Sequence, residues 1–168
     1  MQFTIQIQAD HLARALEAVR LEIATPQQML GSLGESLLRV NQERHDKGLA
    51  PDGTKWKELS PLTLAQKKKK RILYENGDML ESFNYQIQGN ELALGFSDRK
   101  AIWHHSGTSP YTITPKKAKA LAFGGLFRKR VNHPGLPARP LIGFPSSDQQ
   151  LVADVIEDHL TAVLNRVR

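Results

Sequence analysis

The chain has 168 residues, enough for one domain with a hydrophobic core, and 40% of them are hydrophobic against 24% charged, which is a globular balance. It contains no cysteine, which excludes disulfides and thiolate metal sites. The net charge is +6, yet residues 99–147 contain nine Lys or Arg and no acid. This asymmetry predicts a basic surface that meets phosphate or an acidic partner; the alternative is a basic loop region balanced by the chain's own C-terminal carboxylates.

No apolar run approaches the ~20 residues of a membrane helix. The first residues, MQFTIQIQAD, lack the basic and apolar regions of a signal peptide. We therefore expect no membrane association and a protein that is made and used inside a cell.

The first 50 residues predict one strand followed by two helices. Residues 2–8 alternate between polar and apolar, as a half-buried strand does. Asp10 is expected to cap the first helix, and Thr25-Pro26 with Gln28 predicts a capped second helix that ends near residues 44–47. The first helix should bury one apolar stripe, made of Leu12, Ala15, Leu16, Val19 and Ile23.

The middle of the chain alternates between turns and short elements. A loop over residues 48–60 precedes Ser60-Pro61, which predicts the start of a helix reaching about Arg71. Asn76-Gly77 breaks the chain, and a short helix is expected over residues 79–83. Two strands, 83–88 and 91–96, are predicted to pair through a turn at Gly89-Asn90.

The last third predicts an irregular stretch followed by a long helix. Residues 101–145 hold six of the nine prolines, which favours a long loop with short strands at residues 111–114 and 120–123. Ser147 and Gln150 predict a capping box before a helix that reaches about Arg166. Together these elements predict an α+β fold: an antiparallel β-sheet packed with several α-helices, including the long C-terminal helix.

The best candidates for catalysis or metal binding are His104, His105 and His133. Adjacent histidines point apart on a strand, and the surrounding stretch offers no acid to orient or ligate with them. No nucleophile elbow, phosphate-binding glycine loop or dinucleotide fingerprint is present. We therefore predict no enzymatic activity, no cofactor and no metal.

Two basic clusters favour contact with nucleic acid. One is the run of five cations over residues 67–71; the other lies within residues 116–130 and has aromatic residues between its cations. Such groups neutralise phosphates without reading sequence, and no DNA-binding motif accompanies them. A solvated helix face is the alternative for the run over residues 67–71. The residues predicted to face DNA or an acidic partner are Lys116, Lys117, Lys119, Arg128, Lys129 and Arg130.

Large aromatic side chains in predicted loops favour a subunit interface. A compact monomer would have difficulty burying in its loops all the apolar surface of Trp56, Trp103 and residues 123–127. Aromatic residues commonly anchor interfaces between subunits. The alternative, which we favour for Trp56 alone, is that it covers the chain's own core.

Four segments stand in order along the chain: PDGTKWKELSPLT at residues 51–63, ILYENGDMLESF at 72–83, AIWHHSG at 101–107 and PARPLIG at 137–143. Together they resemble motifs of the phage virion morphogenesis, or tail-completion, family of Mu-like phages. Residues 51–63 are similar to its PDG-x-x-W-x-x-L-S-x-x-T segment, and residues 72–83 to its I-L-x-x-(T/S)-G-x-L-x-x-S element. Residues 101–107 resemble its A-x-x-H-(Q/H)-x-G, and residues 137–143 its P-A-R-P-(F/L)-(L/I)-G.

The resemblance implies one virion morphogenesis domain over residues 1–168, with an extended basic loop or β-hairpin insertion around residues 108–136. It implies a non-enzymatic structural protein of a tailed phage or prophage that completes the tail or neck and joins head to tail. It also implies a sixfold ring around the DNA path, contacts with neck, connector and tail proteins, transient non-specific contact with DNA, and a place in the virion after assembly in the bacterial cytoplasm. The alternative is a sequence-independent basic DNA-binding protein. The motif residues expected at interfaces are Trp56, Leu73, Gly77, His104, Gly107, Pro137, Arg139 and Pro140.

Overall fold

The computed structural model describes residues 9–123 and 125–167; for Phe123 it describes only the backbone. The strand predicted over residues 2–8 lies outside them. Within the described residues the helices are α1 (Asp10–Ala24), α2 (Gln27–Lys47), α3 (Pro61–Gln66), α4 (Asp78–Glu81), α5 (Lys100–Ser106) and α6 (Ser146–Arg166). The strands are β1 (Phe83–Gln88), β2 (Glu91–Phe96), β3 (Tyr111–Ile113), β4 (Leu121–Phe123), β5 (Leu126–Arg128) and β6 (Val131–His133).

The predicted α+β class is confirmed. In the part of the chain that is described, the strands form three separate antiparallel pairs: β1 with β2, β3 with β6, and β4 with β5. The predicted β1–β2 hairpin has the expected bounds, and Gly89 supplies the positive φ of +60° at its turn. The long C-terminal helix is also confirmed, as α6.

Two of the predicted helix starts are wrong. Ala9, not Asp10, occupies the position before α1, and Asp10 lies in the first turn, where the helix dipole favours a carboxylate. Pro145 precedes α6 and Ser147 lies inside it, without the predicted capping box. The Thr25 hydroxyl donates to the Leu21 carbonyl at the end of α1, and its role as a cap of α2 stays a prediction.

The start of α3 is confirmed, but its predicted end is wrong. The Ser60 hydroxyl accepts from the Thr63 amide at 3.2 Å, and Pro61 is the first helical residue. The helix ends at Gln66 and not near Arg71, and Lys67 is already extended with ψ of 126°. Five consecutive cations would repel one another across successive helical turns, which disfavours a longer helix.

The stretch predicted as a loop contains more regular structure than its sequence indicated. Residues 100–106 form α5, so His104 and His105 lie on a helix and not on a strand. Seven residues are too few for helical periodicity to be recognised, and the first turn is held by the Asp98 carboxylate, which accepts from the Lys100 amide at 2.9 Å. We call residues 108–136 the arm. It consists of a bridge between Thr108 and Leu136, then the β3–β6 pair, then the β4–β5 pair. That the arm is an insertion relative to the family stays a prediction.

The chain divides into two compact units. The first comprises the described parts of residues 1–40, 84–95 and 144–168, and the second comprises residues 41–83 and 96–143. In the first unit α1 packs against α6, and the His159 Nε2 atom lies 2.7 Å from the Glu22 carboxylate. Much of the predicted α1 stripe is not buried, since Leu12, Leu16 and Ile23 are 60–62% exposed.

Two helical glycines of the first unit give a matched pair of alanine substitutions, which are expected to change the free energy of unfolding in opposite directions. A Cβ on Gly34 would lie 2.5 Å from the Tyr85 ring, whereas a Cβ on Gly31 would meet nothing within 4 Å. We expect Gly34→Ala to lower the free energy of unfolding by about 1–3 kcal/mol through overpacking. Gly31→Ala should raise it by up to about 1 kcal/mol, because alanine favours the helix. Urea unfolding followed by circular dichroism measures both, and a shift in the same direction would contradict the packing.

The core of the second unit surrounds Trp56, which is 5% exposed. Its buried cluster is made of Ala50, Trp56, Met79, Ala101 and Leu141, with Ile72, Leu73, Phe96 and Ile142 packed against it. These residues lie in several segments between the end of α2 and the start of α6, so parts of the chain that are distant in sequence share one core. That core fixes the backbone from which the candidate site is built.

Candidate functional site

A groove of about 830 Å³ lies in the second unit and is lined by several of the predicted site residues. Its walls come from residues 57–60, 73–79 and 133–137, with additional side chains from α3 and α5. The predicted residues that line it are Leu73, Gly77, His104, Pro137 and Arg139. The four motif segments therefore contribute to one surface although they are separated in sequence.

Arg139 ties two of these segments together. It is 4% exposed, and its Nε and Nη2 donate to the Lys57 carbonyl at 2.9 and 2.7 Å, while Nη2 also reaches the Glu58 carbonyl at 3.3 Å. No carboxylate lies within 4.0 Å of it among the described residues. Burial lowers the pKa of Arg139, and the charge of Glu58 opposes that shift. One edge of the guanidinium therefore forms hydrogen bonds within the chain and fixes the backbone of residues 57–58.

The segment around Arg139 is fixed by further hydrogen bonds on both sides. The Trp56 indole Nε1 donates to the Pro140 carbonyl at 2.9 Å, and the Leu141 amide donates to His105 Nδ1 at 3.1 Å. The Arg139 amide donates to the His104 carbonyl at 2.8 Å. Trp56 is thus a buried part of the framework and not a groove residue, while Pro140 lies at the surface.

Backbone geometry explains two of the predicted glycines. Gly77 has φ of +112° immediately before α4, and Gly107 has φ of +72° after α5. A Cβ on Gly107 would lie 2.6 Å from the Leu136 carbonyl oxygen and 2.8 Å from the Ala138 amide nitrogen, so the base of the arm packs directly on it. Leu73, in the groove wall, has a positive φ of 53°, which is strained for a branched side chain.

The histidines are placed by packing and hydrogen bonding. His104 lines the groove, and its Nδ1 is buried without a hydrogen-bond partner among the described residues. His133 stacks on Tyr111 with 4.8 Å between ring centroids, and its Nδ1 accepts from the Gly135 amide. In the described ranges no three His, Asp or Glu side chains group as metal ligands would.

The two basic clusters behave differently. In the run over residues 67–71, Lys67 pairs with Glu75 at 3.6 Å, Arg71 pairs with Asp46, and Arg71 also lies over the Tyr74 ring. This run is therefore partly engaged within the chain. The six cations of the arm, Lys116, Lys117, Lys119, Arg128, Lys129 and Arg130, are exposed and form no ion pair in the described structure. They remain available to a partner.

Several lining residues were not singled out from the sequence. Lys57, Tyr74 and Lys100 line the groove, and their only sequence signal is that they lie within or beside the motif segments. His45 was also missed: it is 5% exposed and packs edge-on against Trp56 with 5.3 Å between ring centroids. A single histidine near the end of a polar helix carries no signal of burial.

Comparison with known families decides the class of this chain. The model of the phage virion morphogenesis family matches residues 7–161 of its 168 residues. The chain belongs to the phage virion morphogenesis family. No curated protein and no solved structure matches it. The motif segments of this virion morphogenesis protein, at residues 51–63, 72–83, 101–107 and 137–143, all lie within the matched range, and the family gives it a structural role in forming the phage particle. In the part of the chain that is described, no helix has the length and hydropathy to cross a membrane.

The buried histidines predict that the virion morphogenesis protein loses stability in mild acid. Burial lowers the pKa of His45, and burial followed by the charge of Arg139 lowers the pKa of His104. Both therefore take up protons more readily when unfolded, so the free energy of unfolding should fall as the pH drops below the ordinary histidine pKa of about 6.5. We expect a lower urea midpoint at pH 5.5 than at pH 7.5.

The contribution of His45 can be isolated with a variant that cannot be protonated. His45→Phe keeps an aromatic ring against Trp56. It should reduce the change in urea midpoint between pH 7.5 and pH 5.5. His11→Gln, at an exposed position on α1, is the control and should leave the dependence as it is. An unchanged slope in His45→Phe would contradict the assignment.

Proposed function

We propose that this protein completes the tail or neck of a tailed phage or prophage and joins head to tail as a subunit of a ring around the DNA path. It acts by binding neighbouring subunits and carries out no catalysis. The observation that carries the proposal is the convergence of the four motif segments on one groove, where Arg139 donates to the carbonyls of residues 57 and 58 and holds two of the segments together. Family membership supports the general class.

The exposed surface of the second unit supports a role in assembly. Ile102 and Trp103, on α5, are 66% and 51% exposed, and Phe127 in the arm is 81% exposed. Aromatic side chains of this kind are enriched at the centres of protein interfaces. Neighbouring neck, connector and tail proteins are the partners that we propose for these surfaces.

The groove offers a second contact to such partners. His104, Leu73 and other apolar side chains line it together with seven charged residues: Lys57, Lys67, Lys100, Arg139, Glu58, Glu75 and Asp78. Two of the ammonium groups are paired within the chain, Lys67 with Glu75 and Lys100 with Asp98. We propose that the groove binds a segment of an adjoining virion protein that supplies a carboxylate to Arg139, which has no carboxylate within 4.0 Å among the described residues.

Complementation of a phage or prophage that lacks this gene tests the proposed function. The variant Lys129→Glu with Arg130→Glu reverses two exposed arm charges and should leave separate heads and tails in electron micrographs, with infectious titre reduced at least tenfold. The matched control, Lys47→Glu with Lys55→Glu, has the same net charge but changes exposed residues outside the basic stretch. Joined particles at normal titre with the arm variant, or an equal defect in the control, would contradict the proposal.

One observation favours the second candidate, a sequence-independent DNA-binding protein. The six arm cations are exposed and lack ion pairs among the described residues, as phosphate-binding side chains do. Fluorescence anisotropy with a labelled non-specific duplex, measured from 50 to 300 mM NaCl, tests it. A steep loss of affinity with salt that disappears in the Lys129→Glu, Arg130→Glu variant would support it, and negligible binding at 50 mM NaCl would remove it.

A further inference from the structure

Two surfaces of the chain expose apolar side chains in a regular arrangement. The α1 stripe consists of Leu12, Leu16 and Ile23, which are spaced by four and seven residues, lie on one helix face and are 60%, 62% and 61% exposed. The arm tip consists of Leu126 and Phe127, which are 55% and 81% exposed. The stripe belongs to the first unit and the arm tip to the second.

The two units carry opposite charge. The first unit contains nine acidic and five basic residues, a net charge of −4. The second contains eight acidic and eighteen basic residues, a net charge of +10. Between two copies, charges of this size favour contact of the first unit of one with the second unit of the other over contact between like units.

We propose that the arm tip of one copy of this chain docks on the α1 stripe of the next copy. The contact is heterologous, because each copy offers one surface of each kind, and repeated contacts of this kind generate a ring or a filament. The inference deepens the proposed function and rests on it, since it names the contact between subunits of the proposed ring.

Charge complementarity selects this pairing over the symmetrical ones. A contact between two α1 stripes would bring together two first units of net charge −4, and a contact between two arm tips would bring together arms that each carry six cations and no acid. Like charges placed opposite one another disfavour both. Only the stripe-to-arm contact joins apolar surface to apolar surface between units of opposite net charge.

Two variants test the two halves of the contact one at a time, and neither changes the net charge of the protein. Leu16→Gln changes the centre of the stripe, and Phe127→Gln changes the arm tip. By sedimentation velocity at 50 mM NaCl, the unmodified protein should associate, and each variant alone should bind itself at least tenfold more weakly. An equimolar mixture should form dimers, because one intact stripe then meets one intact arm tip.

Leu21→Gln is the matched control. Leu21 lies on the opposite face of the same helix and is 53% exposed, so this variant should associate like the unmodified protein. Association of the unmodified protein should also weaken when NaCl is raised from 50 to 500 mM.

Four outcomes would overturn the inference: an unmodified protein that stays monomeric at high concentration, a mixture that stays monomeric, an equal defect in Leu21→Gln, or a lower urea midpoint for monomeric Leu16→Gln than for monomeric Phe127→Gln. The last would mean that the chain's own residues cover the stripe. Complementation distinguishes the two proposals. If the protein stayed monomeric in solution but still joined heads to tails, only the docking contact would be overturned.

Discussion

Trp56→Ala is expected to lower the free energy of unfolding by about 3–5 kcal/mol, a large share of the ~5–15 kcal/mol that stabilises an ordinary domain. The side chain is 5% exposed at the centre of the cluster formed by Ala50, Met79, Ala101 and Leu141, so its removal leaves a cavity that a fixed backbone cannot fill. It also removes the donor to the Pro140 carbonyl, and with it one of the bonds that position the residue 137–141 segment.

Trp103→Ala is the matched control for that prediction. Trp103 is 51% exposed on α5, and its loss should cost less than about 1 kcal/mol. Urea unfolding followed by far-ultraviolet circular dichroism measures both variants without relying on tryptophan emission. If Trp56→Ala unfolded at the same urea concentration as Trp103→Ala, the placement of Trp56 in the core would be wrong.

The sequence predicted the elements whose signals are local and repetitive. The β1–β2 hairpin follows from the turn at Gly89-Asn90, and a long helix ending near Arg166 was predicted as α6, although its capping box is wrong. The start of α3 follows from the chemistry of Ser60-Pro61. These features need only neighbouring residues, so periodicity and capping chemistry are sufficient to find them.

The features that the sequence did not predict depend on distant residues. Helix α5 is too short for periodicity, and the arm pairs residues 111–113 with residues 131–133 across some twenty positions. Thr25 could serve two helices, and only the structure assigns its hydroxyl to the end of α1.

Resemblance singled out the motif residues but gave no geometry for them, and their place at an interface stays a prediction. Leu73, Gly77, His104, Pro137 and Arg139 were singled out by resemblance, and the structure brings all five to one groove. No pattern in the sequence indicated that Arg139 would donate to main-chain carbonyls of residues 57 and 58. Bonds of a side chain to a distant backbone leave no trace in residue type, because every residue has a carbonyl.

The second large effect is expected for Gly135→Ala, which should lower the free energy of unfolding by about 2–5 kcal/mol. Gly135 has φ of +88°, and a Cβ there would lie 2.1 Å from the Thr108 carbonyl oxygen and 2.9 Å from the Ser109 carbonyl carbon. These are backbone atoms at the bridge where the Thr108 amide donates to the Leu136 carbonyl at 2.9 Å, so they cannot move without opening the base of the arm.

Gly125→Ala separates the backbone cost of Gly135→Ala from its steric cost. Gly125 also has a positive φ, of +77°, but a Cβ there meets nothing within 4 Å, so only the conformational penalty of about 1 kcal/mol applies. Hydrogen exchange at the Thr108 and Leu136 amides should rise at least tenfold in Gly135→Ala and stay near the unmodified level in Gly125→Ala. Because the arm keeps all its cations and its exposed tip in both variants, a joining defect confined to Gly135→Ala would mean that assembly requires the arm to be held at its base. Equal exchange in the two variants would show that the Thr108 and Leu136 backbones are not in contact as described.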